Sequence, residues 1–134
     1  MVILDSSAWI DYFRGENKKV IKSIENILAR ELVLIGDIIW CEIFQGVRSE
    51  SERKVLHESL DGMPRSGMLG FFIAERSAYN YRVLRGKGVT PRSTIDVIIA
   101  TFCMENSCLL AHCDRDFTHI AKILPLKHID LRET

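Results

Sequence analysis

The chain has 134 residues, the size of one domain, with 47% hydrophobic and 27% charged residues, the balance of a core-forming globular protein. Lys plus Arg and Asp plus Glu number 18 each, so the formal net charge is zero, which argues against a platform that grips nucleic acid by bulk charge alone. The opening MVILDSSAW carries neither a basic leader nor an apolar span, and the four cysteines lack any CxxC pairing, so one soluble cytoplasmic domain with reduced thiols is expected over residues 1–134.

Val2-Ile3-Leu4 is an apolar run that stops at Asp5, the pattern of a buried strand with an acid at its C-terminal end. Ser6 or Ser7 is placed to cap a helix through Trp9 and Phe13 that Gly15 closes. Val20, Ile21, Ile24, Ile27 and Leu28 recur at helical spacing. Leu32–Ile35 is a second short strand, and Asp37 is expected to cap a helix through Ile38, Trp40, Ile43 and Phe44. Ser49 followed by Glu52 is a capping-box pattern opening a helix through Leu60.

The Gly62–Gly70 stretch, with Pro64 inside it, predicts a loop or a poor strand. A long helix is expected over Phe72–Leu84, a loop over Gly86–Pro91, and an apolar helix from Ile95 to Met104 capped by Ser93 or Thr94. Leu109–Ala111 predicts a strand, Phe117–Leu124 a short helix and His128–Leu131 a last strand. Short apolar strands alternating with helices predict an α/β domain on a central parallel sheet flanked by helices. Such sheets bind ligands outside the carboxyl ends of their strands, where Asp5 and Asp114 fall.

Four acids stand in settings that suit metal-assisted phosphodiester hydrolysis. Mg²⁺ and Mn²⁺ prefer carboxylate oxygen, and such ions lower the pKa of water and stabilise a leaving oxygen. Asp5 lies beside two serine hydroxyls, Glu42 is embedded in the apolar run IIWCEIF, and Asp96 sits in the first turn of an apolar helix, where the helix dipole favours an anion. Asp114 and Asp116 flank Arg115 after a strand, an arrangement in which one points inward and the other outward. Each acid also has a plain structural reading: Asp5 as an N-cap, Asp96 as a helix-start charge, Glu42 as a solvated helix edge, Asp114 and Asp116 as turn residues.

Taken in order, MVILDSSAWIDYF, IGDIIWCEIFQGV, TIDVIIATFC and LLAHCDRDF resemble the PIN-domain toxins of VapBC toxin–antitoxin modules, over essentially the whole chain. Position by position, the resemblance puts the family's acidic quartet on Asp5, Glu42, Asp96 and Asp114, with Asp116 as a supporting acid. It implies a PIN-like fold, Mg²⁺ or Mn²⁺ dependence, RNA cleavage to a 5′-phosphate and a 3′-hydroxyl, a cognate VapB-like antitoxin and homodimerisation. Many relatives carry Thr two residues before the last Asp, where this chain has His112, an imidazole able to hydrogen-bond or to touch a metal.

Other groupings compete for attention. His112, Cys113, Asp114 and His119 resemble a zinc cluster, but structural zinc uses paired Cys or His from two places and no second pair exists. Arg76, Arg82, Arg85, Lys87, Arg92 and Arg115 are candidates to guide an RNA backbone, or are ordinary solvated charges. Trp9, Tyr12, Phe13, Trp40 and Phe44 are spaced as helix core, or as a groove for an amphipathic antitoxin segment. The rival functions are a catalytically silent PIN-like protein- or RNA-binding module, and a phosphotransfer domain using Asp5. The second lacks an acid two residues after Asp5.

Overall fold

The structure, a computed structural model, describes residues 1–133. Its elements in chain order are β1 (Val2–Leu4), α1 (Ser6–Arg14), α2 (Lys18–Arg30), β2 (Val33–Gly36), α3 (Asp37–Gln45) and α4 (Glu50–Leu60). Then follow β3 (Arg65–Ser66), α5 (Phe71–Gly86), α6 (Thr94–Glu105), β4 (Leu109–His112), α7 (Arg115–Ala121) and β5 (His128–Asp130). The strands form one parallel sheet in the order β3-β2-β1-β4-β5. This is the expected α/β architecture. No helix among the described residues is long and apolar enough to cross a membrane.

β1 is buried along its whole length, as a central parallel strand covered on both faces must be. Ile3 pairs with Leu34 on one side and Leu110 on the other. α6 has apolar residues nearly all round and packs against α5, α7 and β4, so Val97, Ile99 and Ala100 are fully buried. The chain leaves β1 towards β2 and β3, then crosses back to β4 on the other side. The sheet's order therefore reverses between β1 and β4, and the connections after these two strands diverge, leaving a crevice at their carboxyl ends.

Several boundaries differ from the sequence expectation for local reasons. α1 is capped by Asp5 itself, whose Oδ2 accepts the N–H of Ser7, rather than by a serine. α3 takes Gly36 as its N-cap, and the Oδ1 of Asp37 instead accepts the N–H groups of Ile38 and of Met68 across the β2–β3 edge. Gly36 is required there: a Cβ would collide with the fully buried Met68 side chain. α7 begins at Arg115, two residues before the expected Phe117, because Asp114 caps it through the N–H of Asp116. That shift matters for the site.

A candidate carboxylate metal centre

Asp5 ends β1, where its N–H still joins the sheet by donating to the Ala111 carbonyl of β4. Its side chain is 3% exposed. Oδ2 accepts the Ser7 N–H at 3.0 Å and the Ser7 hydroxyl at 2.6 Å, while Oδ1 is buried with no partner. One oxygen of Asp5 thus caps a helix, its plain structural reading, while the other is unpartnered among the described residues. The Ser7 hydroxyl also accepts the N–H of Cys113 at 3.0 Å, tying the ends of β1 and β4 together.

Glu42 projects from the middle of α3, and the Ser6 hydroxyl donates to its Oε1 at 3.1 Å. Asp96 lies in the first turn of α6, started by the Ser93 side chain. Asp114 caps α7 and Asp116 stands in its first turn. Carboxylate oxygens of Asp96, Asp114 and Asp116 all lie within 4.8 Å of one another. The tightest group thus contains Asp116, which the sequence placed in support, with Asp5 and Glu42 beside it.

The electrostatics show the same convergence. Burial, then the charges of Asp5, Asp114, Glu42 and Asp116, push the Asp96 carboxyl up to about 7. Burial raises Asp5 against the opposing hydrogen bonds from Ser7 and Ser6, with Asp114 adding to the rise. Glu42 is raised by burial and then by Asp5, partly offset by its bond from Ser6. So many carboxylates in one crevice demand either protons or a cation. A donor set of carboxylate oxygens with one buried, unpartnered oxygen fits a hard divalent ion.

The zinc-like grouping does not assemble. His112 is fully buried, its Nδ1 accepts the Asp114 N–H at 3.1 Å, and its Nε2 meets His128 Nδ1 at 2.9 Å. Both ring nitrogens are engaged within the protein, so the ring is no metal ligand. Of the basic candidates, Arg92 reaches the acids, with Nε and Nη2 each 3.3 Å from an Asp116 oxygen. Arg76 is committed elsewhere, to Glu105 at 2.9 Å. Of the aromatic set, Trp9 is buried against a stacked Phe13, and Trp40 stacks on Phe44 beneath the Arg65 guanidinium.

The Arg92–Asp116 pairing carries no sequence signal that singles it out. The place of Ser7, two residues after a strand-end acid, points to a hydroxyl that orients Asp5, and it does so; its second bond, from Cys113 across 106 positions, has no local signal.

VapC ribonuclease Mb1587 of Mycobacterium bovis is 28% identical over 134 residues, spanning 98% of this chain and 100% of that protein. Ribonuclease VapC11 of Mycobacterium tuberculosis matches at the same identity and coverage. Among solved structures, FitAcB from Neisseria gonorrhoeae superposes with a TM-score of 0.78 at 17% identity, covering 100% of both chains. DNA-bound VapBC from Salmonella typhimurium gives a TM-score of 0.76 at 17% identity, covering 98% of this chain and 99% of that one. The family model described as PIN domain matches residues 2–123, nearly the whole fold and every acid of the crevice, and the chain belongs to that family.

Proposed function

We propose that this protein is a divalent-metal-dependent endoribonuclease, the toxin of a type II toxin–antitoxin module, acting as one PIN domain. The observation that carries the chemistry is the convergence of Asp96, Asp114 and Asp116 within 4.8 Å beside the unpartnered Oδ1 of Asp5. The names of the full-length ribonuclease relatives supply the substrate class. When bound, Mg²⁺ or Mn²⁺ supplies charge neutralisation and Lewis acidity at a phosphoryl oxygen.

The chain's own residues do the rest. Asp96, Asp114 and Asp116 hold the cation, with Asp5 Oδ1 as a further donor. Ser6 fixes Glu42 through Oε1, leaving Oε2 to accept the proton of the attacking water. In-line attack on phosphorus forms the new P–O bond as the P–O3′ bond breaks, and the departing 3′-oxygen takes a proton from solvent, leaving a 5′-phosphate and a 3′-hydroxyl. Asp5 is buried at the crevice floor, and that burial strengthens the charge interactions it makes there.

The partner reading rests on two surfaces. A groove of about 490 Å³ between α1 and α4, lined in part by Phe13, Ile43, Val55 and Leu56, suits the apolar side of a VapB-like antitoxin segment. The solved neighbours include VapBC complexes. Leu69, Phe71, Phe72 and Tyr79 expose an apolar patch at and before α5, the face we assign to a homodimer.

Incubating purified protein with single-stranded RNA in Mn²⁺ and in EDTA tests the chemistry. Cleavage is expected in Mn²⁺ alone, and Asp96→Asn or Asp5→Asn should abolish it. Cleavage that survives both substitutions would overturn the site assignment. Mn²⁺ uptake without cleavage of any RNA would favour the silent binding module.

A further inference from the structure

Arg92 occupies an unusual place for a charged side chain. It lies in the connection between α5 and α6, immediately before the Ser93 cap and four residues before Asp96. The connection is shaped by the positive φ of Gly88 and by the Val89 N–H, which donates back to the Leu84 carbonyl. The guanidinium is thereby carried over the crevice to Asp116, at the start of α7. Among the described residues it is the one Arg or Lys side chain that pairs with an acid of the cluster. The charges of Asp114 and Asp96 also favour its charged form.

The pairing is loose. Both contacts are 3.3 Å and the Arg92 side chain is 82% exposed. The fork between Arg132 and Asp130 is different: contacts of 2.6 and 2.9 Å with the carboxylate 3% exposed. Charge-assisted bonds that lock a fold have the second geometry. A guanidinium that sits in solvent on one carboxylate of a crowded set is held by local charge balance and is exchangeable for a stronger cation. A divalent ion shared by Asp96, Asp114 and Asp116 is such a cation.

We propose that Arg92 is a displaceable counter-cation: it neutralises Asp116 when the site lacks a divalent ion, and, once that ion takes the carboxylate, turns outward to clamp an RNA phosphate. The inference rests on the metal-centre reading above and adds a switch to it. The guanidinium fork that matches a carboxylate also matches a phosphate. In a chain with zero formal net charge, such a local donor carries weight that bulk attraction does not supply.

A purely structural staple and a counter-cation predict opposite signs. Losing a staple loosens the acids and weakens cation binding. Losing a competitor strengthens it.

The test titrates Mn²⁺ calorimetrically into the full chain as wild type, Arg92→Ala, Arg92→Lys and Asp96→Asn. Arg92→Ala is expected to bind Mn²⁺ about threefold or more tighter, while Arg92→Lys, which keeps the charge, stays within about twofold of wild type. The second arm measures anisotropy of a fluorescein-labelled 12-nucleotide RNA of mixed sequence, in Ca²⁺ and in EDTA. In Ca²⁺, Arg92→Ala should weaken binding and lower the log–log salt slope by about 0.7, the loss of one single-strand phosphate contact; in EDTA it should change little. Unchanged or weaker Mn²⁺ affinity in Arg92→Ala, no loss of RNA affinity in Ca²⁺, or an equal loss in both media overturns the proposal. Wild type that takes up no Mn²⁺ brings down the metal-centre reading with it. Uptake that Asp96→Asn abolishes but Arg92→Ala leaves unchanged brings down the counter-cation alone.

Discussion

The Nδ1 atom of His112 accepts the backbone N–H of Asp114 at 3.1 Å, so a buried imidazole braces the residue that caps α7 and belongs to the acidic cluster. That bond leaves the ring proton on Nε2, which donates to His128 Nδ1 at 2.9 Å. The ring packs against Phe117, centroids 5.2 Å apart. Burial, reinforced by His128 and Arg132 against the pull of Asp130 and Asp114, holds His112 down at about 4. At neutral pH it is an uncharged bracket with one defined tautomer. The departure from threonine noted in the sequence therefore keeps a hydrogen-bonding side chain at the end of β4.

Replacing His112 should separate the bracket from the filler. His112→Ala leaves the Asp114 N–H without its acceptor and opens a void beside Phe117, a loss of about 2–4 kcal/mol in urea unfolding. His112→Asn retains an acceptor near the Nδ1 position and forfeits the His128 bond. It is expected to recover Mn²⁺ affinity close to wild type while recovering only part of the stability. Equal Mn²⁺ affinity in His112→Ala and wild type would show that the bracket does not position Asp114.

The two serines after Asp5 should behave differently. The Ser7 hydroxyl donates to Asp5 and accepts from Cys113, so Ser7→Ala strands the Cys113 N–H and leaves Asp5 Oδ2 with the Ser7 backbone N–H alone. A loss of about 1–3 kcal/mol is expected by urea unfolding, with weaker Mn²⁺ binding. Ser6 touches only the Glu42 oxygen among the bonds its side chain makes, at the half-buried rim. Ser6→Ala should lower the cleavage rate at saturating Mn²⁺ and change stability by no more than about 0.5 kcal/mol. A rate unchanged by Ser6→Ala would remove Glu42 as the positioned proton acceptor.

The apolar patch makes a simpler prediction. Phe71 is 95% exposed and Phe72 64%, at the start of α5, where no core contact requires either aromatic ring. Phe71→Asp with Phe72→Ser should convert a dimer to a monomer in light scattering while leaving the thermal midpoint within a few degrees. A wild type that is monomeric at tens of micromolar would remove this face as a homodimer contact.

How much of this was legible follows from what each signal depends on. β1, β4 and α6 are apolar runs ended by an acid or a cap, and runs and caps are local, so Asp5 and Asp96 fell where expected. β3 escaped definition because a two-residue edge strand has no periodicity, and its partner was fixed by the Asp37–Met68 bond across 31 positions. Asp114 and Asp116 looked divergent because the helix was expected to begin at Phe117. Once it begins at Arg115, the Asp114 side chain holds the N–H of Asp116, and both acids stand at the same helix end near Asp96. A boundary two residues earlier brings Asp116, expected as a supporting acid, up beside Asp96 and Asp114. Where His112 pointed depended on the 16-residue return to His128, which no local pattern encodes.

The Asp96 carboxyl gives the sharpest pH test, because its shift has two consequences of opposite sign. Raised to about 7 from an ordinary 3.8, it binds a proton more readily folded than unfolded. Without a cation, its contribution to stability is full below 3.8 and is lost as the pH climbs through about 7. Asp96→Asn, neutral at every pH, should therefore raise the thermal midpoint in EDTA at pH 8 by a few degrees, with a smaller gain at pH 5.5. His112 acts the other way, since its depressed value withdraws stability as the pH falls from 6.5 to about 4, so the mutant must be compared with wild type at each pH. A cation reverses the balance at Asp96 by requiring the charged form. Mn²⁺ binding at pH 6, where Asp96 is mostly protonated, should release more protons than binding at pH 8, read from calorimetry in buffers of different ionisation enthalpy. Equal proton release at the two pH values would mean that the Asp96 carboxylate is already charged, and that its neighbours do not crowd it.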